Sequence, residues 1–219
     1  MDDGRDFSPK SFNPLDKASL AKSLADALGS VAPVTLPPPR FSGAGVYALY
    51  YNGAFRAYSL LVEKDRGRCE YPIYIGKAAP PGTRKGVAEA EDNKALFSRL
   101  SQHASSVRNA EGLDVRDFSC RLMVVDDIWI SLAEATLIRR FQPVWNIILD
   151  GFGNHAPGKG RAAGKISKWD IMHSGRPWIF DVSKRAAPGK EQEEEAARRR
   201  LTNEAMTHLE KFFKDRLGD

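Results

Sequence analysis

Apolar residues occur along the chain in short runs whose composition predicts the strands of one sheet. Gly45–Tyr51 and Tyr71–Gly76 are rich in the β-branched and aromatic residues that favour strands. Between them, Asn52-Gly53 is a two-residue hairpin signal, so we expect a return strand at about Phe55–Val62. Another strand is predicted at Phe118–Val125. These segments predict a small sheet of antiparallel strands.

Two helices are predicted in the first half of the chain, where apolar residues are spaced three or four positions apart. The first should begin with Asn13 as its N-cap and Pro14 at the first helical position, and should end near Gly29. A proline-rich extended linker should join it to the first strand. The second helix should cover about Lys94–Val107.

Two further helices are predicted in the second half. One should begin at Ser131 and run to about Phe141, because Pro143 cannot continue it. The other should cover about Lys190–Leu217, where Glu and Arg residues four positions apart support a helix. The apolar face of this last helix could dock on the core or on a second copy of the chain.

These elements predict an α+β fold, with a small antiparallel sheet flanked by helices. We divide it into an N-terminal arm and helix (1–44), a core (45–150), and a basic segment with the C-terminal helix (151–219). The chain has 219 residues, of which 42% are hydrophobic and 28% charged, as expected for one packed globular domain.

Composition also indicates the compartment. No apolar run approaches the roughly 20 residues that cross a bilayer, and the acidic N-terminus lacks the apolar region of a signal peptide. Cys69 and Cys120 lack metal-ligand spacing and are expected to be reduced packing residues. We therefore expect a cytoplasmic protein without membrane association.

The net charge of +5 is unevenly distributed. Residues 151–185 contain seven basic and two acidic side chains, so their excess equals that of the whole chain. This segment is also rich in glycine and contains Trp169 and Trp178. Such a segment suits a polyanion such as nucleic acid. A solvated loop without a partner is the alternative.

Two tyrosines lie beside glycines in the predicted strands, in Gly45-Val46-Tyr47 and Tyr74-Ile75-Gly76. They could be packed core aromatics or a proton-transfer pair near a reactive site. Lys77 lies just past the strand end, from which its ammonium could fold back towards Tyr74 and lower the pKa of the phenol. Phosphodiester hydrolysis needs a base for water and cations for the phosphate.

Other candidate residues lie on two predicted helices and just after them. Arg99 and His103 share a helix face, where Arg99 could bind phosphate and His103 could exchange a proton. A solvated surface pair is the alternative. Glu134 could bind a hard cation such as Mg²⁺, or could complete a capping box with Ser131. Asn146 could order the site or cap a local turn.

Taken in order along residues 45–150, these motifs and residues resemble the GIY-YIG nucleases. The likeness is stronger for the branch of type II restriction endonucleases that cut CCGCGG. It extends into the stretches 36–39 (Leu-Pro-Pro-Pro) and 150–155 (Asp-Gly-Phe-Gly-Asn-His). That branch carries His at the position of His103, where most members have Tyr. It also carries an enlarged hairpin, like the 26 residues between Tyr47 and Tyr74.

The resemblance implies an enzyme that hydrolyses double-stranded DNA with one Mg²⁺ ion, or Mn²⁺, per active site. Glu134 would be the metal ligand, Tyr74 or Tyr47 the general base, and Asn146 would order the active site. A palindromic site is matched economically by a homodimer. The alternatives are a repair or homing nuclease of this superfamily and a non-catalytic DNA-binding module.

Sequence recognition requires further polar side chains, because base edges are read by residues such as Arg, Lys and Asn. Candidates lie in the polar loop at 78–93 and in the basic segment. They are Arg84, Lys85, Asn154, His155, Lys159, Arg161 and Arg176.

Overall fold

A four-stranded antiparallel sheet with the order β1-β4-β2-β3 lies at the centre of the molecule. The computed structural model describes residues 16–79, 93–154, 166–177 and 191–218. The strands are β1 (Val34–Thr35), β2 (Gly45–Tyr51), β3 (Tyr74–Ala78) and β4 (Phe118–Val124). The helices are α1 (Lys17–Ser30), α2 (Ser59–Asp65), α3 (Ala95–Asn109), α4 (Asp127–Phe141), α5 (Val144–Ile147), α6 (Lys168–Met172) and α7 (Glu191–Leu217).

Helices cover both faces of the sheet, so β2, one of its two inner strands, is buried along its whole length. Tyr47 and Leu49 point to one face and join a large cluster with residues of α3, α5, α6 and α7. Val46 and Ala48 point to the other face and pack with residues of α1 and α4. The predicted α+β class is thereby confirmed.

The apolar face of α7 docks on the core of its own chain. Its buried residues Leu201, Ala205, Leu209 and Phe213 all belong to the larger cluster. Both cysteines are free, as expected, and Cys120 is buried. In the four described stretches, no helix combines the length and the apolar composition that a membrane span needs.

The return strand expected at about Phe55–Val62 is wrong, because this segment is helical. A 3₁₀ turn at Arg56–Tyr58 leads directly into α2. Its buried residues follow the spacing of a helix: Ala57, Tyr58, Leu61 and Asp65. The partners of β2 are instead β3 and β4, so long-range pairing prevails over the local turn signal.

Two predicted helix starts are also wrong. α1 begins at Lys17, and the carboxylate of its N-cap, Asp16, accepts from Ser19 N at 2.9 Å. Asn13 and Pro14, on which the prediction rested, lie outside the described residues. α4 begins at Asp127, which places Ser131 inside the helix and rules out its predicted capping box. The helix does end just before Pro143, as predicted.

Candidate active site

Two tyrosines from neighbouring strands and a histidine from α3 meet on one face of the sheet. The ring centroids of Tyr47 and Tyr74 are 6.2 Å apart. The His103 ring lies 5.5 Å from Tyr47 and 5.4 Å from Tyr74. The Tyr47 hydroxyl and His103 Nε2 share a 2.6 Å hydrogen bond. His103 is buried, so the alternative of a solvated Arg–His pair is wrong for this residue.

Arg99, one helical turn before His103, completes this group, which we call the tyrosine cluster (Tyr47, Tyr74, Arg99 and His103). The guanidinium interacts electrostatically with both phenols. Its Nη2 donates to the carbonyl oxygen of Gly153 at 2.5 Å, and its Nη1 donates to Gln102 Oε1 at 3.3 Å. The guanidinium is therefore fixed beside the phenols.

Two glycines beside the cluster lie so close to its side chains that no other residue would fit at these positions without a shift. Gly76 lies directly opposite Tyr47 in the β2–β3 pairing, and a Cβ there would clash with the Tyr47 hydroxyl. A Cβ at Gly153 would lie only 2.7 Å from the Tyr74 hydroxyl and 3.1 Å from Arg99 Nη2. Close approach of the main chain thus shapes the cluster.

Burial dominates the acid–base properties of the two phenols. Desolvation raises the pKa of Tyr47 well above that of a free phenol. Burial also raises the pKa of Tyr74, while the positive charge of Arg99 works against that rise. The negative charge of Glu134 adds to the rise at both tyrosines, so its carboxylate lies within electrostatic range of the cluster.

Lys77 binds Glu134. It does not approach Tyr74, contrary to the expectation from sequence. Side chains alternate between the faces of a strand, so Lys77 leaves β3 on the side opposite to Tyr74. Lys77 Nζ lies 2.9 Å from Glu134 Oε2 and donates to Ser131 Oγ at 3.1 Å. Arg99, on the other side of the strand, is instead the cation that interacts with both phenols in the described structure.

Glu134 carries a carboxylate within electrostatic range of the cluster that could hold a metal ion. Its side chain is 22% exposed. Within the described ranges, no group of three or more His, Cys, Asp or Glu could hold an ion. A hard cation that keeps most of its water ligands fits one such oxygen donor.

Asn146 supports β3, which is an edge strand of the sheet. Its Oδ1 accepts from Ile75 N, and its Nδ2 donates to Ile75 O, both at 2.8 Å. One amide thus pairs with both backbone groups of a residue that adjoins Tyr74. The side chain connects the start of α5 to the strand that carries the cluster.

Phe152 and Gly153, whose individual roles the sequence interpretation missed, belong to a turn at residues 151–154. Phe152 stacks on His103 with a centroid separation of 4.4 Å and an interplanar angle of 16°. Its ring also meets Tyr74 edge-on at 5.0 Å. The only available signal was the likeness of residues 150–155 to the restriction branch.

A second buried tyrosine–histidine pair also escaped prediction. His173 Nε2 and the Tyr58 hydroxyl lie 2.6 Å apart, and Trp145 Nε1 donates to that hydroxyl at 2.8 Å. Burial lowers the pKa of His173 to about 3, so the ring is neutral at ordinary pH. No spacing along the sequence links these residues, since they come from three separate segments.

Of the residues predicted to contact DNA, Asn154 is exposed at the end of the 151–154 turn. Arg176 is buried and forms an ion pair with Asp170 at 2.6 Å, which speaks against its predicted DNA contact. The other candidates, Arg84, Lys85, His155, Lys159 and Arg161, lie outside the described residues.

Comparison with known proteins identifies the family to which the chain belongs. A family model described as the Eco29kI GIY-YIG domain matches residues 39–203, well over half of the 219-residue chain. The matched range includes the tyrosine cluster, Lys77, Glu134, Asn146 and the 151–154 turn. Comparison with curated proteins gave no match. The chain therefore belongs to the Eco29kI GIY-YIG domain family of restriction endonucleases and is a site-specific nuclease.

Proposed function

We propose that the protein is a type II restriction endonuclease that cuts both strands of double-stranded DNA at a palindromic, GC-rich site, CCGCGG. The convergence of the tyrosine cluster, in a chain that matches a restriction endonuclease family, carries this proposal. Phenols, an imidazole and a guanidinium in one cluster supply the proton-transfer and anion-binding groups that phosphodiester hydrolysis needs. The particular site sequence rests on the resemblance to the branch that cuts CCGCGG.

Tyr74 is the general base in this proposal. A base must reach the attacking water, and Tyr74 is partly exposed whereas Tyr47 is fully buried. Burial raises the pKa of Tyr74, but Arg99 works against that rise and so favours the phenolate. Burial raises the pKa of Tyr47 well above that of a free phenol, which opposes its ionisation.

Tyr47 and His103 support the Tyr74 phenolate in this scheme. Burial raises the pKa of Tyr74, while a hydrogen bond with Tyr47 is among the interactions that lower it. We assign the proton of the His103 imidazole to Nε2, from which it donates to the Tyr47 oxygen. The Tyr47 hydroxyl can then donate its own proton to Tyr74, where negative charge develops.

Arg99 binds the scissile phosphate in the proposed complex. Its bonds to Gly153 and Gln102 hold the guanidinium beside Tyr74 before DNA arrives. A planar set of donors that is fixed in advance suits a phosphate whose negative charge grows in the transition state. Little reorganisation is then needed at the moment of reaction.

Glu134 is the proposed ligand of one Mg²⁺ ion per active site, with Mn²⁺ as a substitute. When bound, the ion would supply positive charge that stabilises the phosphate and promotes ionisation of water. Lys77 holds the Glu134 carboxylate through its 2.9 Å contact and keeps it oriented on α4. Asn146, on α5, holds β3 in place through its two bonds to Ile75.

A homodimer would present two such sites to a palindrome, one for each strand. Asn154 is a proposed base-reading residue because it is exposed next to Gly153, which contacts Arg99. An amide side chain can donate to one base atom and accept from another. The basic candidates in the undescribed ranges remain proposed DNA contacts.

Specificity can be tested with two duplex oligonucleotides that differ only in the central two base pairs of one CCGCGG site. With Mg²⁺ present, we expect both strands of the CCGCGG duplex to be cut, and the altered duplex to stay intact. Equal cutting of both duplexes would refute the proposed CCGCGG specificity but would still show nuclease activity. Binding of both without cutting would favour a non-catalytic DNA-binding module.

A further inference from the structure

A buried ion pair lies behind the turn that contacts the tyrosine cluster. Arg176 and Asp170 are each only 2% exposed. Arg176 Nε donates to Asp170 Oδ1 and Nη2 donates to Asp170 Oδ2, both at 2.6 Å. Removing two charges from water is costly, and such a pair is often no more stable than packed apolar residues. Its position in the molecule therefore points to a role other than stability alone.

Further hydrogen bonds of this guanidinium go to the main chain of the 151–154 turn. Its Nη1 donates to Phe152 O at 3.1 Å and, more weakly, to Asn154 O at 3.5 Å. Its Nη2 donates to Gly151 O at 3.1 Å. The fourth carbonyl of the turn, that of Gly153, accepts from Arg99 of the cluster. The turn thus lies between two arginines, one on each side.

The ion pair is itself held in place by α6 and its N-cap. The guanidinium of Arg176 lies over the Trp169 ring, 4.7 Å from its centroid. Asp170 Oδ2 accepts from the hydroxyl of the N-cap residue Ser167 at 2.6 Å. Trp169 N donates to Asp150 O at 3.1 Å, directly before the turn. These contacts leave the carboxylate and the guanidinium little freedom to move.

The 151–154 turn also contacts three side chains of the tyrosine cluster. Phe152 stacks on His103 and meets Tyr74 edge-on, with centroids 4.4 and 5.0 Å apart. Gly153 accepts from Arg99 and leaves no space for a Cβ beside the Tyr74 hydroxyl. A shift of this turn would therefore move the proposed base and the proposed phosphate ligand together.

We infer that Asp170 and Arg176 are positioning residues for DNA cleavage, which act by holding the 151–154 turn against the tyrosine cluster. This inference rests on the proposed nuclease function. The two charges neutralise each other, so the pair acts through geometry. Misplacement of a catalytic group by about 1 Å can cost about 100-fold in rate, and a loss of this size is expected when the pair is removed.

Two variants test the role of the pair. Arg176→Lys keeps a positive charge beside Asp170, but a single ammonium cannot reproduce the planar set of donors that serves the carboxylate and the turn together. A double variant, Asp170→Leu with Arg176→Met, removes both charges of the pair together. Apolar replacement of a whole buried pair often preserves folding, which protects the test against simple unfolding.

Single-turnover cleavage and DNA binding should be measured for folded protein at one temperature. Both variants should lose about 100-fold in the cleavage rate while DNA affinity changes little. Leu209→Ala is the matched control, because it destabilises the core through α7, a helix that carries no residue of the turn or of the tyrosine cluster. The control should cut at the wild-type rate. Wild-type rates in both folded pair variants would overturn the inference.

A second measurement separates this inference from the proposed function. If the wild-type protein cuts no DNA, the proposed function fails, but the position of the turn can still be measured. The His103 ring protons stack against Phe152, so their NMR shifts should move in the folded double variant and stay unchanged in Leu209→Ala. Unchanged His103 shifts in the double variant would overturn the inference without reference to cleavage.

Discussion

Replacing Tyr74 with phenylalanine removes one oxygen atom from the tyrosine cluster and leaves the ring packing in place. The ring should stay against Phe152 and His103, whose centroids lie 5.0 and 5.4 Å away. The variant loses the hydrogen bonds that the Tyr74 hydroxyl forms with Tyr47 and Arg99. Loss of such bonds at a partly exposed site should cost about 1 kcal/mol of stability. The fold should therefore survive the change.

The loss of rate should be much larger than the loss of stability. A positioned general base contributes about 10²- to 10⁴-fold to the rate, which corresponds to about 3 to 5 kcal/mol of activation free energy. Single-turnover cleavage of a CCGCGG duplex with excess protein measures this step without interference from product release. DNA binding, measured by gel shift, should remain close to that of the wild type.

Tyr51→Phe is the matched control for Tyr74→Phe. It also removes one hydroxyl, which accepts from Phe55 N at 2.9 Å and lies in β2 away from the cluster. Its stability loss should be similar and its cleavage rate unchanged. A Tyr74→Phe enzyme that cuts at full rate would move the general base elsewhere. Equal rate losses in both variants would indicate general destabilisation instead of lost chemistry.

Three further predictions concern the metal ligand, the supporting tyrosine and a buried histidine. Glu134→Ala should abolish Mg²⁺-dependent cleavage and leave DNA binding in place; retained cleavage would exclude the metal role. Burial raises the pKa of Tyr74, and a hydrogen bond from Tyr47 lowers it. Tyr47→Phe removes that bond, so the pH–rate profile of cleavage should move to higher pH. An unmoved profile would contradict the proposed support of the Tyr74 phenolate by Tyr47. Burial lowers the pKa of His173 from 6.5 to about 3, so between these two pH values only the unfolded chain gains this proton. The unfolding free energy from urea titration should then fall by about 1.4 kcal/mol per pH unit as the pH drops from 6.5, and the fall should be smaller in His173→Gln.

The sheet and most of its helices could be predicted because their signals are local. β2 and β4 are apolar runs, and α3 and α7 carry apolar residues at helical spacing. The segment after β2 could have been predicted better. Its buried positions, Ala57, Tyr58, Leu61 and Asp65, follow a helical period, which the Asn52-Gly53 signal obscured.

The sequence could predict which residues come together, but it could not predict their contacts. Tyr47, Tyr74, Arg99 and His103 were all named, and they do meet. The predicted partner of Lys77, Tyr74, was wrong. Alternation along the strand directs the Lys77 side chain to α4, where Glu134 lies. Spacing along the chain places residues on elements, whereas the direction of each side chain depends on packing between elements.

Arg176 shows that the contacts of a charged residue are also hard to predict from sequence. A basic residue in a basic segment suggests DNA binding, yet Arg176 is buried against Asp170 six positions earlier. Neither charge nor local spacing distinguishes an exposed arginine from one that is paired in the interior. Only the fold brings the 151–154 turn to its guanidinium.

Digestion of a supercoiled plasmid of known sequence tests the central claim most directly. The purified protein should be incubated with Mg²⁺ in one reaction and with EDTA in the other, and the cut ends sequenced. We predict double-strand breaks at every CCGCGG site with Mg²⁺ and intact plasmid with EDTA. Intact plasmid in both reactions, with the DNA still bound, would contradict the account.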